Sequence, residues 1–261
     1  MAEELLYLHF GRQCPGTYFE EKASQAAELL QLPFRSIDIS DRPELAERYN
    51  VFVPGAVVIG DFQLTFPGSP EQMAESYRLR GPLPGEQEYD PKPAGEVERV
   101  EVLNAGSCGR AFASCLPRLT EEQAQQKAGW LTATQGSDGF SGLVGYAGGR
   151  VVGFVEALPE TLIPYPIGER RRDCLFITCL YSPIEWGLEQ DYRESLLRHL
   201  LHQARERGFA GVSVISGVET PYPNGPLAVF EQLGFERVKQ MGRILLRHKW
   251  EDAWLLERRF E

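Results

Sequence analysis

"ARERGFAGVSVIS" (204–216) and "NGPLAVFEQLGFERV" (224–238) decide how the second half of this chain folds. The first closes a helix and opens a strand: Gly208 stands where helices take a C-terminal glycine, and the apolar run from Gly211 to Gly217 reads as a buried strand. The second reads as a short helix ending in "FEQLGF", followed by strands near 236–248 and 252–260. Upstream, Leu196, Leu197, Leu200, Leu201 and Ala204 form one stripe of a helix, with Arg198, Glu206 and Arg207 outside it. "DCLFITCLYS" (173–182) is nearly all apolar and has the length of a buried central strand.

Further back, "SGLVGYAGGRVVGFVEALP" (141–159) is a hairpin, its turn at Ala147, Gly148 and Gly149, where paired glycines tolerate positive φ. Residues 107–130 read as helix in two pieces broken near Pro117; the second is opened by Thr120, whose hydroxyl caps while Gln123 reaches back. "ERVEVLN" (98–104) alternates as a strand. Ahead of it, "RGPLPGEQEYDPKPAGE" (80–96) mixes prolines and glycines with charges and has no apolar period, so a linker is expected there. The reading is therefore an α/β protein with one domain over 1–80, a linker over 81–96 and a second domain over 97–261.

The first domain reads βαβαββα: strands at 5–10 and 34–39, helices at 17–32 and 42–50, a hairpin across Asp61, and a helix started by Ser69 and Pro70. Asp41 is the expected N-cap of the helix at Pro43. With Cys14 and Pro15 leading into the first helix and "VFVPGAVVIGD" before the hairpin, this order resembles the thioredoxin and glutaredoxin fold over residues 4–80. The resemblance implies a cis proline before the third strand, at Pro54. The redox motif is "CPGT", with Thr17 where a second cysteine would stand, so an intramolecular dithiol cycle is unavailable. Cys14, at a helix start, is either a reactive thiol or a remnant in a domain kept for packing.

Composition narrows the partners. Asp plus Glu exceed Lys plus Arg by 37 to 27, and a net charge of −10 argues against nucleic acid or an anionic membrane surface; Arg170, Arg171 and Arg172 are too short a cluster to reverse it. No apolar stretch is long enough for a transmembrane helix, and five cysteines without CxxC spacing suit reduced thiols, with no metal site. A cytoplasmic location is expected.

The element order of the second domain, and above all the two segments quoted first, resembles the GNAT N-acyltransferase family over residues 97–261. That resemblance implies acetyl-CoA as cosubstrate and acetyl transfer to a small-molecule or protein amine. It implies that the strands at 174–182 and 211–217 splay apart, that pantetheine pairs with Cys179, Leu180 and Tyr181, and that diphosphate sits on the amides of the next helix start, around Gln190, Asp191, Tyr192, Arg193 and Glu194. Asn224 matches the family's asparagine before the short helix, and doubles as a possible N-cap. The chain departs from the family twice. "EWGLEQDYRES" (185–195) lacks the glycines of the phosphate loop, keeping only Gly187, and Phe230 stands where the family often has the tyrosine that protonates the leaving thiolate. Tyr222 or Tyr181 are substitutes for that acid, Glu156 or Glu185 candidates for the base, and Cys174 and Cys179 are small core residues. Two alternatives stay open: a non-catalytic binding or scaffold protein with a degenerate acyltransferase fold, and a thiol-dependent redox module using Cys14.

Overall fold

The computed structural model describes residues 3–11, 19–65, 68–86, 89–115, 120–134, 140–184 and 187–260. The chain forms two compact units, the first comprising Met1–Glu88, Pro164–Pro166 and Met241–Ala253, the second the remainder. The first unit thus takes in two short segments from beyond the linker, one in a loop and one at the tip of the last hairpin.

In the first unit the order is β1 (Leu5–His9), α1 (Glu20–Leu30), β2 (Phe34–Asp38), α2 (Pro43–Arg48), β3 (Gly55–Ile59), β4 (Phe62–Leu64) and α3 (Pro70–Leu79). The sheet runs β2-β1-β3-β4, with β1 parallel to β2 and antiparallel to β3. Leu5, Tyr7, Val57 and Ile59 pack with Ala23, Ala27 and Met73 into its core. Ser69 caps α3 as expected, accepting from Gln72 N at 3.3 Å while Gln72 Oε1 accepts from Ser69 N at 2.9 Å. α2 differs from expectation, because its N-cap is Arg42 and no side chain, Asp41 included, caps it. The cis peptide bonds among the described residues are at Tyr222–Pro223 and Gly225–Pro226, so the bond before Pro54 is trans. Cys14 and Thr17 lie outside the described residues.

The second unit holds β5 (Arg99–Val102), α4 (Cys108–Cys115), α5 (Glu121–Thr134), β6 (Gly142–Ala147), β7 (Arg150–Pro159), β8 (Cys174–Tyr181), α6 (Arg193–Glu206), β9 (Gly211–Gly217) and α7 (Leu227–Gln232), with the base of the hairpin of β10 (Glu236–Leu245) and β11 (Trp250–Arg259). The mixed sheet is ordered β10-β11-β9-β8-β7-β6-β5, and within it β8 and β9 run parallel. Along β7 the side chains alternate. Val155 and Ala157 join the core that includes Leu196, Leu197 and Leu200 of α6, whereas Phe154 joins Phe112 of α4 and Leu131 of α5 on the other face. The hairpin turn is made by Gly148 and Gly149 at φ 54 and 75, Thr120 and Gln123 bond reciprocally at 3.0 and 3.2 Å, and Gly208 ends α6 at φ 77.

Candidate active site

The pairing of β8 with β9 runs from Cys174↔Gly211 to Ile177↔Val214 and stops. On its other edge β8 stays paired with β7 out to Tyr181, through a register shift in which Cys179 faces Glu156 and Ile177 faces Ala157. Thr178 is therefore an extra residue, and such a bulge turns a strand out of its former line. Beyond it, Thr178–Tyr181 run past Ile215–Gly217 without a ladder between them.

One side chain closes this gap. Asn224 Oδ1 accepts from Leu180 N at 2.9 Å, and its Nδ2 donates to Ile215 O at 3.2 Å. The residue sits at φ 52, a left-handed conformation that asparagine tolerates better than most. It is not an N-cap: Pro226 holds that position before α7, and no side chain bonds there.

At the start of α6 the expected diphosphate amides are largely taken. Asp191 Oδ1 accepts from Arg193 N at 3.0 Å, so a carboxylate of the chain itself caps the first turn. Arg193 is buried, its Nε lying 2.9 and 3.0 Å from the two Asp191 oxygens. Its remaining nitrogens donate to Gly225 O and, at 3.2 Å, to Tyr89 Oη. Burial works against its charge, but Asp191 more than offsets this and holds the guanidinium above its ordinary pKa. Tyr192 N donates to Ser182 Oγ at 3.3 Å and Tyr192 Oη to Gln190 Oε1 at 3.0 Å. The end of the expected linker also binds here: Asp191 N donates to Pro93 O and Gly95 N to Asp191 O, each at 2.9 Å; just past it, Val97 N donates to Ser195 Oγ at 3.0 Å. Among the described residues, the Glu194 and Ser195 amides remain as first-turn donors without a partner.

On the α4 and α5 side of the bulge, Glu156 is 1% exposed. Its Oε1 accepts from Thr178 Oγ1 at 2.5 Å, and its Oε2 lies 2.6 Å from Lys127 Nζ, a charge contact rather than an aligned hydrogen bond. Lys127 is itself 3% exposed, with its ammonium over the rings of Trp130 at 4.3 Å and Phe112 at 4.9 Å. Glu156 thus reaches the bulge with a resident cation.

Phe230 is fully buried, edge-on to Phe235 at 5.3 Å, in the core that includes Leu196 and Leu200. Tyr222 lies in a turn where Thr220 Oγ1 bonds its carbonyl at 2.9 Å and its amide at 3.4 Å, and it is absent from the polar contacts of Glu156. Tyr181 Oη donates to Ser114 O at 3.5 Å. Cys174 is buried, and burial pushes its thiol up to about 11, in keeping with a core role; Cys179 packs against the α4–α5 core. Glu185 lies outside the described residues. Sequence reasoning missed Lys127 and Ser182 altogether. The one signal for Lys127 was its place four residues before Leu131, on the same helix face.

No protein-family model matches the chain, and no curated protein matches it by sequence. Among solved structures it is similar to the ribosomal-protein-alanine N-acetyltransferase from Brucella melitensis, at 17% identity over 62% of this chain and 99% of that one, with a TM-score of 0.46. The ribosomal-protein-S18-alanine N-acetyltransferase from Escherichia coli is 14% identical over 62% of this chain and 92% of its own, with a TM-score of 0.43. An N-acetyltransferase from Thermoplasma acidophilum in complex with coenzyme A is 10% identical over 62% and 98%, with a TM-score of 0.39. At these identities and TM-scores the likeness decides no activity.

Proposed function

We propose that the second unit transfers an acyl group, acetyl in the simplest case, from coenzyme A to an amine. The observation that carries this reading is the gap between β8 and β9 and the manner of its closure. Leu180 N and Ile215 O are satisfied by a side-chain amide, which supplies one acceptor and one donor. A pantetheine arm carries amides with the same pair of groups, and it can take over such an edge as a short added strand. The fit is good there and narrower at the diphosphate, where Glu194 and Ser195 offer amides beside the Asp191 carboxylate.

In this reading Cys179, Leu180 and Tyr181 line the thioester arm, and Gln190–Glu194 border the diphosphate. Bound coenzyme A supplies the activated acyl group. The protein's part is to align the thioester against an amine on the Glu156 side of the bulge and to exclude water. Glu156 takes a proton from the amine; the Tyr222 or Tyr181 hydroxyl, in place of Phe230, gives one to the departing thiolate. The acceptor is a small-molecule or protein amine, the acidic charge disfavours nucleic acid and membranes, and a cytoplasmic setting suits the free Cys108, Cys115, Cys174 and Cys179.

Acetyl-CoA is expected to raise the melting temperature, because a ligand that binds only the folded state stabilises it by mass action. No shift at millimolar ligand overturns the reading. It would favour the second one, a binding protein without transfer chemistry, for which the partly occupied start of α6 speaks: Asp191 caps the turn, and the Arg193 guanidinium is engaged with Asp191, Gly225 and Tyr89. For the first unit, the order β2-β1-β3-β4 supports a thioredoxin-like domain without a dithiol. If Cys14 serves there as a redox thiol, it alkylates faster than free cysteine at neutral pH, and an ordinary rate retires that role.

A further inference from the structure

From the buried Glu156–Lys127 pair beside the bulge of β8 we infer that Lys127 Nζ is itself an acyl acceptor, so that the chain acylates its own lysine. The inference rests on the transferase reading above and adds the acceptor.

A lysine on a helix ordinarily keeps its ammonium in water along a flexible stem. Here the ammonium is drawn inward, against Glu156 and between two aromatic rings, although removing both charges from water is costly and an apolar pair would serve packing as well or better. The location gives the arrangement a use. Thr178 is the first residue past the last β8–β9 pair, its hydroxyl reaches one Glu156 oxygen, and the other Glu156 oxygen touches Nζ. Two side-chain contacts therefore separate the nitrogen from the apex of the gap in which the thioester would lie. Burial from solvent is no obstacle, because the acyl group arrives through that gap.

The step balances without a further reagent. One ammonium proton passes to the Glu156 carboxylate, freeing the nitrogen lone pair, which attacks the thioester carbonyl carbon. The C–N bond forms and the C–S bond breaks. A second ammonium proton ends on the coenzyme A thiolate, and the third stays on the new amide. The product is a neutral acyl-lysine and a protonated Glu156, which returns its proton to solvent.

The experiment incubates the full chain with acetyl-CoA, quenches with acid, and maps added acetyl mass by peptide fragmentation, alongside melting curves with and without coenzyme A. The expected result is one acetyl group on Lys127 ahead of Lys22, Lys92, Lys239 and Lys249. Those four are all less buried and would lead in any uncatalysed reaction. Glu156→Gln is expected to slow labelling about a hundredfold, the size of a general-base contribution, while K127R abolishes it and retains the ligand-induced melting shift. A melting shift without label on Lys127, or with label led by the exposed lysines, overturns the inference and leaves the transferase reading standing. Absence of both shift and label ends both.

Discussion

A side-chain amide and a peptide amide carry the same donor and acceptor, which is why Asn224 can close the gap between Leu180 and Ile215 with a single residue. Replacing it with alanine strands both backbone groups, at about 1–3 kcal/mol for each left buried. Asn224→Ala should therefore melt below the parent chain, and acetyl-CoA should raise its melting temperature by more than it raises the parent's. Calorimetry with and without ligand checks this; an equal increment would mean that the ligand does not compete for those groups. Arg193 presents the reverse case, a charge already committed. Arg193→Ala leaves Asp191 in a largely buried setting without its cation, and is expected to cost about 3–5 kcal/mol in urea titrations. His9 supplies a pH effect in the first unit. Its Nε2 pairs with Ser36 Oγ at 3.1 Å while its Nδ1 is buried without a partner among the described residues, and burial lowers its pKa below 6.5 despite Asp38 and Glu20. The folded form thus binds fewer protons than the unfolded one, so stability is present above about pH 6.5 and is lost as pH falls below it. Melting curves between neutral and acid pH should converge for His9→Gln and the parent, with the parent losing more.

At the scale of elements, what the sequence makes legible is what local chemistry decides. Ser69 with Gln72, Thr120 with Gln123, Gly208 and the Gly148–Gly149 turn each fix an element end through neighbours a few residues away, and all are found where the pattern puts them. The parting of β8 and β9 was expected only from resemblance. Its physical origin, the extra residue at Thr178, depends on a pairing with Glu156 that no window of sequence contains. The same holds for Pro93, Gly95 and Glu96, read as linker but bonded across roughly a hundred positions to Asp191 and Ser195, and for Lys127, whose partner lies on another element. A glycine tests how tightly the bulge is held. Gly142 faces Glu156 across β6 and β7 at φ 122, and a Cβ there would meet the carbonyl oxygen of Val155. Gly142→Ala combines a disfavoured φ with a backbone clash and should cost about 2 kcal/mol or more in denaturant titrations. If Glu156 positions the acceptor, the variant should also lose Lys127 labelling at a temperature where it remains folded.

At the scale of the whole molecule, the first unit is not one continuous stretch of sequence. The first unit includes Met241–Ala253, and Leu245 is fully buried among Leu5, Tyr7, Val57 and Met73. Thr65 reinforces the join by donating from its amide at 3.3 Å and from its hydroxyl at 3.0 Å to Leu245 O. Such a segment, contributed from the far end of the sequence, is invisible to a reading that follows period and punctuation along the chain, since nothing near Leu245 announces its partners. The consequence is testable. Leu245→Ala removes a branched side chain from a closed core and should destabilise the first unit by about 2–5 kcal/mol, the range for burying a cavity in place of leucine. A fragment ending at residue 80, the boundary that composition suggests, lacks this segment and should melt broadly, without the cooperative transition of the intact chain. A sharp transition in that fragment, or an unchanged melting curve for Leu245→Ala, would mean that the first unit closes its core without help from the C-terminal hairpin.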